Sequence, residues 1–358
     1  MLVLFDTLNI YYIPQYAPIC QELVKRGHKV AYVIYLSRNT RDVFEQHIDT
    51  AGADLIWVKD NQDALNLYQK KKADWIIFGN TYEYMNEVHQ VSKTAQLGHG
   101  IGPKPGYYKK SNTPTSIRFI EGKLRHTIAQ GMYPDCKMVQ VGFSKLDPLF
   151  QGNVESIDLR ALGLNPSKKT LLYAPTFNPS SIECFPNDWP KAFKDFNILI
   201  KPHSITQTRS RYKNQQKKLA CWSRFDNVYV TKPEEISIVP HLKTADILLS
   251  EASSTLFEFV ALDKPVIVCN FFKLKWTYRG IFKFRFDQRF KQDSVIFKDI
   301  GTHIDSYSAL RKAVDDQLEN PSQFQSQRKQ YTIDHVGPTD GKASERIVDY
   351  FETHCGQT

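Results

Sequence analysis

The sequence predicts an α/β protein made of two doubly wound parallel-sheet (Rossmann-like) domains facing a cleft. Short apolar runs alternate with amphipathic segments through the first half of the chain, which is the pattern of strands buried beneath helices on both faces. The same rhythm restarts after a polar connection bearing Gly and Pro at about 148–168. A chain of 358 residues is also longer than one ordinary core serves. The division falls into 1–155 and 156–358, with the last helix a candidate to pack back on the first domain.

Taken in order, the expected strands of the first half are "MLVLFD", 29–36, 54–58, 74–80, 94–100, 116–122 and 138–143, each bounded by Gly, Asp or Lys. Between several of them, "IPQYAPICQELVKRGHKV" and "NQDALNLYQKKKA" carry apolar residues at helical spacing, and "ELVKRGHKV" reads as a helix closed by a glycine turn. In the second half the strands are 170–177, 196–204, 227–231, 245–250 and 264–271. Ligands of such sheets sit beyond the carboxyl ends of the strands, so the chemistry is expected in "LGHGIG", "APTFNP", "KPHS" and "SEASS".

Composition bounds the partners. The formal charge is +9, from 47 Lys and Arg against 38 Asp and Glu, which suits an anionic substrate, an anionic membrane surface or nucleic acid. The segment 273–291 interleaves bases with Trp276, Tyr278, Phe282, Phe284, Phe286 and Phe290; it reads as a half-buried hairpin with a solvated edge, or as a membrane-interface or nucleic-acid surface. The six cysteines have no C-x-x-C and no regular spacing, which argues against a zinc knuckle or a disulfide framework. The start "MLVLFDTLNIYYIP" reads as a strand and not a signal peptide, and no apolar run approaches the ~20 residues of a spanning helix. The expected location is cytoplasmic, with peripheral attachment to the inner face of the membrane as an option.

The segment "ADILLSEASSTLFEFVALDKPVIV" reads as strand, loop, helix, strand. Ser253, Ser254 and Thr255 are good helix-capping types, and Leu256, Phe257, Val260 and Ala261 face the core. Two readings stand side by side. Thr255 and Glu258 form a T-x-x-E capping box, or the hydroxyls and the helix start hold a diphosphate while Glu258 meets a ribose hydroxyl. His99 in "GHGIGPK" and His203 in "ILIKPHS" each follow a strand, one in each domain, where an imidazole acts as a general base or a phosphate partner. A P-loop, a G-x-G-x-x-G turn, a G-x-S-x-G elbow and a D-x-D pair are all missing. Helix ends, His, Lys and Arg are therefore expected to meet the charge, with no metal and no cofactor.

At these residues the chain resembles the CDP-glycerol glycerophosphotransferase family, which makes teichoic acids and related phosphopolyol capsules. "GHG" at 98–100 is similar to the family's His-Gly motif, "VGFSKLDPL" at 141–149 to its "G-x-P-R-x-D" segment, and "LLYAPTF" at 171–177 to its "Y-A-P-T" strand end. "ILIKPHS" and "DILLSEASSTLFEFVALDKPVIV" stand where the family has "K-x-H-P" and "D-Y-S-S-x-x-F-D-F-x-x-L-x-K-P". Departures include Lys145 for Arg, Ser204 for Pro, and Glu251 and Glu258 for Asp.

The resemblance implies a GT-B fold and metal-independent transfer of glycerol phosphate, or a similar phosphopolyol, from a CDP-linked donor to a hydroxyl of an anionic polymer or lipid-linked acceptor. Carried over by position, His99 is the base and His203 a phosphate-binding catalytic residue. Gly100, Lys145, Pro175, Thr176, Lys201, Ser250, Ser253, Ser254, Thr255 and Glu258 complete the donor site. A membrane contact through 273–291 is a further expectation, and nucleic acid is not expected as a partner. The alternatives are a GT-B glycosyltransferase using a nucleotide sugar, a non-hydrolysing nucleotide-sugar 2-epimerase, or a non-catalytic nucleic-acid or membrane-binding module.

Overall fold

The computed structural model describes residues 1–36, 41, 44–45, 50, 52–97, 100–101, 115–273, 280, 284 and 297–355. The backbone divides into two units. One comprises Met1–Gly100, Tyr108–Asn153 and Ile333–Thr358, the other Ile101–Tyr107 and Val154–Thr332.

In the first unit the strands are β1 (Leu2–Thr7), β2 (Lys29–Tyr35), β3 (Asp54–Val58), β4 (Trp75–Phe78), β5 (Lys93–Gln96), β6 (Ile117–Ile120) and β7 (Met138–Gln140). They form one sheet in the order β3-β2-β1-β4-β5-β6-β7, and every pairing is parallel. Alternate residues of each central strand enter different cores, because side chains on a strand point to opposite faces. Val3, Phe5, Tyr32, Ile34, Trp75 and Ile77 join one cluster, while Leu4, Ala31, Val33, Ile76 and Phe78 join the other. The helix Ile13–Lys25 covers the first face with Tyr16, Ile19, Cys20 and Leu23; the helix Asn61–Lys71 covers the second with Ala64, Leu65 and Tyr68.

The ends of these helices are encoded locally. Gly27 at φ +79° lets the first helix close on itself, with the His28 N–H reaching the Leu23 carbonyl at 3.0 Å. Asp60 starts the second helix by accepting the Asp63 N–H at 3.0 Å. The last helix, Ala343–Thr353, belongs to this unit too, where Ile347, Val348 and Phe351 enter the first core and Phe351 lies 4.7 Å from the Trp75 ring. Gly337 makes the return possible, since a Cβ there would lie 2.1 Å from the Glu121 carbonyl oxygen.

The second unit holds β8 (Thr170–Ala174), β9 (Asn197–Ile200), β10 (Val228–Val230), β11 (Ile247–Ser250), β12 (Val266–Cys269) and β13 (Thr302–Ile304), parallel throughout in the order β10-β9-β8-β11-β12-β13. The expected strands are all present, and β13 is an addition. Three residues, half-buried Thr302 and His303 and buried Ile304, are too few to show a period, and the strand forms because β12 offers an edge to pair with.

Candidate active site

The strand order of the second unit's sheet reverses between β8 and β11, the place where a doubly wound sheet opens a crevice at its carboxyl edge. Pro175 and Thr176 leave β8 on one side of it, and Glu251 to Thr255 leave β11 on the other. Neighbouring β9 delivers Lys201, Pro202 and His203 to the same edge.

Glu251, the residue after β11, is 1% exposed. Its carboxylate accepts the Thr176 N–H at 2.6 Å, the Ser181 N–H at 2.8 Å and the Ser181 hydroxyl. Burial pushes its pKa up to about 7 against these three bonds, which favour the ionised form. The carboxylate therefore straps the loop after β8 to the end of β11. In the sequence Glu251 is a departure from Asp; the signal available was a lone acid directly after a buried strand, Ile247–Ser250.

Ser250 lies in the strand itself, fully buried, and its hydroxyl donates to the Ala174 carbonyl at 2.6 Å. Ser253, in extended backbone, caps the helix Ser254–Val260 by accepting the Thr255 N–H at 3.3 Å, and its hydroxyl also donates to the Thr255 hydroxyl at 3.2 Å. This corrects the capping-box reading of Thr255 and Glu258. With Ser253 as the cap, the third helical position is Leu256, and Thr255 sits inside the helix with Glu258 nearly a turn further on. Glu258 is 1% exposed and lies within the unit. Ser253 and Ser254 remain half-exposed at the crevice, and the Thr176 hydroxyl donates to the Pro179 carbonyl within its own loop.

His203 caps the short helix Ser204–Thr208, its Nδ1 accepting the Ile205 N–H at 3.1 Å. An accepting Nδ1 carries no hydrogen, so the neutral ring holds its proton on Nε2, the tautomer that can donate to an anion. The Phe177 ring meets the imidazole edge-to-face at 4.8 Å and joins the β8 and β9 loops. Lys201 points its ammonium at the Glu235 carbonyl, and the Glu235 carboxylate accepts from Tyr229 at 2.6 Å and from the Lys232 N–H at 2.7 Å. Lys201 thus ties the loop after β10 to the end of β9. Lys264, from the "K-P" pair, donates to the carbonyls of Leu242, Lys243 and Ala245 and finishes the helix Val239–Thr244.

The other candidates lie in the first unit. Gly98 and His99 are outside the described residues. Gly100 is buried, and its carbonyl accepts from Arg125 at 3.0 Å; Arg125 also pairs at 2.8 Å with buried Glu121, whose pKa desolvation raises to about 7. Lys145 is half-buried in the turn Ser144–Leu146. Asp147, two residues on, accepts the N–H groups of Ala343 at 3.1 Å and Ser344 at 2.6 Å and so caps the last helix. Of the segment 273–291, only Lys273, Gly280 and Phe284 are described, Phe284 being 52% exposed; the remainder lies outside the described residues. Among the described residues no group of three or more His, Cys, Asp or Glu could hold a metal ion, and no helix is long and apolar enough to cross a membrane.

The profile of the CDP-glycerol:poly(glycerophosphate) glycerophosphotransferase family matches residues 123–353, a span that contains every donor-side candidate except Gly100. Teichoic acid glycerol-phosphate primases are similar over a shorter stretch. That of Bacillus spizizenii is 25% identical over 138 residues, 36% of this chain and 33% of that one. That of Bacillus subtilis is 24% identical over 154 residues, 41% and 37%. The chain thus spans about a third of the length of these relatives. Among solved structures, a variant of the wall teichoic acid polymerase TagF superposes with a TM-score of 0.70 at 14% identity, covering 99% of this chain and 88% of that one. A TagF variant soaked with CDPG gives 0.65 at 15%, covering 98% and 88%. A putative UDP-N-acetylglucosamine 2-epimerase from Listeria monocytogenes gives 0.65 at 14%, covering 100% and 97%. The fold is accordingly GT-B.

Proposed function

Because the chain belongs to the CDP-glycerol:poly(glycerophosphate) glycerophosphotransferase family, we propose that it moves glycerol phosphate, or a similar phosphopolyol, from a CDP-linked donor to a hydroxyl of a cell-surface glycan or lipid-linked acceptor. The observation that carries this reading is the carboxyl edge of the second unit's sheet, where Ser253 and Ser254 after β11 and His203 after β9, its Nδ1 taken by the Ile205 N–H, stand beside the crevice between β8 and β11.

In the reaction an acceptor oxygen attacks the phosphorus that bears the polyol, and the bond from that phosphorus to the CMP oxygen breaks. CMP leaves with the electron pair, and the acceptor proton passes to His99. A positioned base contributes about 10²- to 10⁴-fold, because an alcohol is a poor nucleophile. His203 and the hydroxyls of Ser253 and Ser254 meet the charge that gathers on the departing phosphate, with Lys145 as a further cation. Thr176 and Lys201 hold the loops that shape the site: Thr176 lends its N–H to Glu251, and Lys201 anchors Glu235. No metal or cofactor enters this scheme. The basic stretch 273–291 is assigned to the anionic acceptor or to a membrane surface beside it.

The test is a nucleotide-release assay over CDP-, UDP- and CMP-linked donors. CMP appearing from a CDP-polyol in the presence of acceptor is expected. Release of UDP from a UDP-sugar, or epimerisation of that sugar without an acceptor, would replace this reading with a glycosyltransferase or an epimerase.

A further inference from the structure

The strand order of the first unit's sheet also reverses, between β1 and β4, which opens a crevice of its own at the carboxyl edge. Two asparagines stand on either side of it, Asn9 two residues past β1 and Asn80 two residues past β4. Their carboxamides converge on one atom: Asn9 Nδ2 donates to the Tyr12 hydroxyl at 3.3 Å, and Asn80 Nδ2 donates to the same oxygen. Tyr12 is fully buried, so that hydroxyl is a fixed post. Gly79 presses the β4 loop against the same wall, since a Cβ there would lie 2.8 Å from the Tyr16 hydroxyl and 2.9 Å from the Tyr12 ring.

With both nitrogens used in this way, each half-exposed carboxamide keeps an oxygen that accepts no hydrogen bond from a described residue. Tyr11, 39% exposed, stands edge-on to Tyr12 with ring centroids 4.9 Å apart. The segments 8–12 and 79–84 bring one charged side chain, Glu83, and its carboxylate is held by Asn61 at 2.7 Å. A phosphate would find no cation in these loops, whereas neutral hydroxyls would find planar amide acceptors and an aromatic surface. The next strand, β5, pairs Gln96 with Phe78, and His99 follows three residues after Gln96 in the chain.

We propose that Asn9, Asn80 and Tyr11 form a subsite for the uncharged, hydroxyl-rich part of a glycan or polyol, and that this ligand is the transfer acceptor. The second half of that statement rests on the transferase reading; binding itself does not. The experiment uses the full chain and two probes, N,N′-diacetylchitobiose for neutral hydroxyls and sn-glycerol 3-phosphate for a charged polyol, read by saturation-transfer NMR. Wild type is expected to bind the disaccharide, and the Asn9→Ala/Asn80→Ala pair to bind it about tenfold more weakly, the scale of one or two neutral hydrogen bonds. Tyr11→Ala, a change at an exposed ring, should weaken it as well while keeping the wild-type melting point. CDP-induced stabilisation should persist in both variants. Equal disaccharide binding by wild type and variants, binding of the phosphate probe alone, or binding of neither would overturn the subsite. Failure of the transferase reading is seen separately: if no donor releases CMP while the disaccharide still binds through these residues, the subsite stands and the acceptor role falls.

Discussion

Glu251 and Ser181 are joined twice, by the backbone N–H of Ser181 at 2.8 Å and by its hydroxyl, in a place where the carboxylate is 1% exposed. The bonds fasten the loop after β8 to β11 across the point where the strand order reverses. The crevice that should receive a diphosphate is thus framed by a buried acid.

That acid makes stability depend on pH. An unfolded glutamate titrates near 4.5, whereas burial holds Glu251 at about 7. Below the lower value the group is protonated in both states. Between the two the folded chain keeps a proton that the unfolded chain has lost, so stability falls as pH rises, and above about 7 the loss is complete. Glu251→Gln removes this dependence while costing about 1–3 kcal/mol for mismatched donors. Melting temperatures measured from acid to neutral pH should show the wild-type advantage shrinking through that window. Parallel curves for the two proteins would refute the assignment.

His203 can be divided into its two roles. Asparagine caps helices as well as any residue, so His203→Asn should melt close to wild type yet lose transfer and much of its CDP affinity. His203→Ala should lose both and also melt lower, by about 1 kcal/mol in stability. An active His203→Asn enzyme would leave the imidazole with capping alone.

The serines are separable in the same way. CDP at a hundred times its Kd should add about 2.7 kcal/mol of stability, a melting shift on the order of 5 to 10 °C for a unit of this size. Ser253→Ala should cost the unliganded protein about 1 kcal/mol of stability, through the lost cap, and reduce the shift. Ser254→Ala should reduce the shift with little change in the unliganded protein. A full CDP shift in the Ser253→Ala/Ser254→Ala pair would assign these hydroxyls to helix capping only.

For His99, replacement by Ala should lower kcat by about 10²-fold or more while CDP still stabilises the protein, because a base acts in the transition state. A variant retaining above roughly a tenth of wild-type kcat would exclude that role.

Chelation should leave transfer unchanged, since the chain has no D-x-D pair and the proposed partners of the phosphates are His, Ser and Lys. Dialysis against EDTA followed by assay with and without magnesium decides it. Activity lost and then restored by magnesium would contradict the scheme.

By itself the sequence determined the local rules. Apolar runs such as "LVLFD" and "DILLS" announced parallel strands because strands buried on both faces need no polar alternation, and Gly27 announced the end of a helix because it supplies a positive φ. The strand-end positions of His203 and the serines were legible for the same reason. What tertiary structure decided was where polar side chains spend their hydrogen bonds. Asp147, read within a family motif, caps a helix nearly 200 residues away; Lys201 anchors the loop of a neighbouring strand; Thr255 yields the cap to Ser253; and Asn9 and Asn80 share one phenol. Each of these depends on which strands lie side by side and on which atoms lose water when the chain closes. Spacing along a sequence carries no record of either.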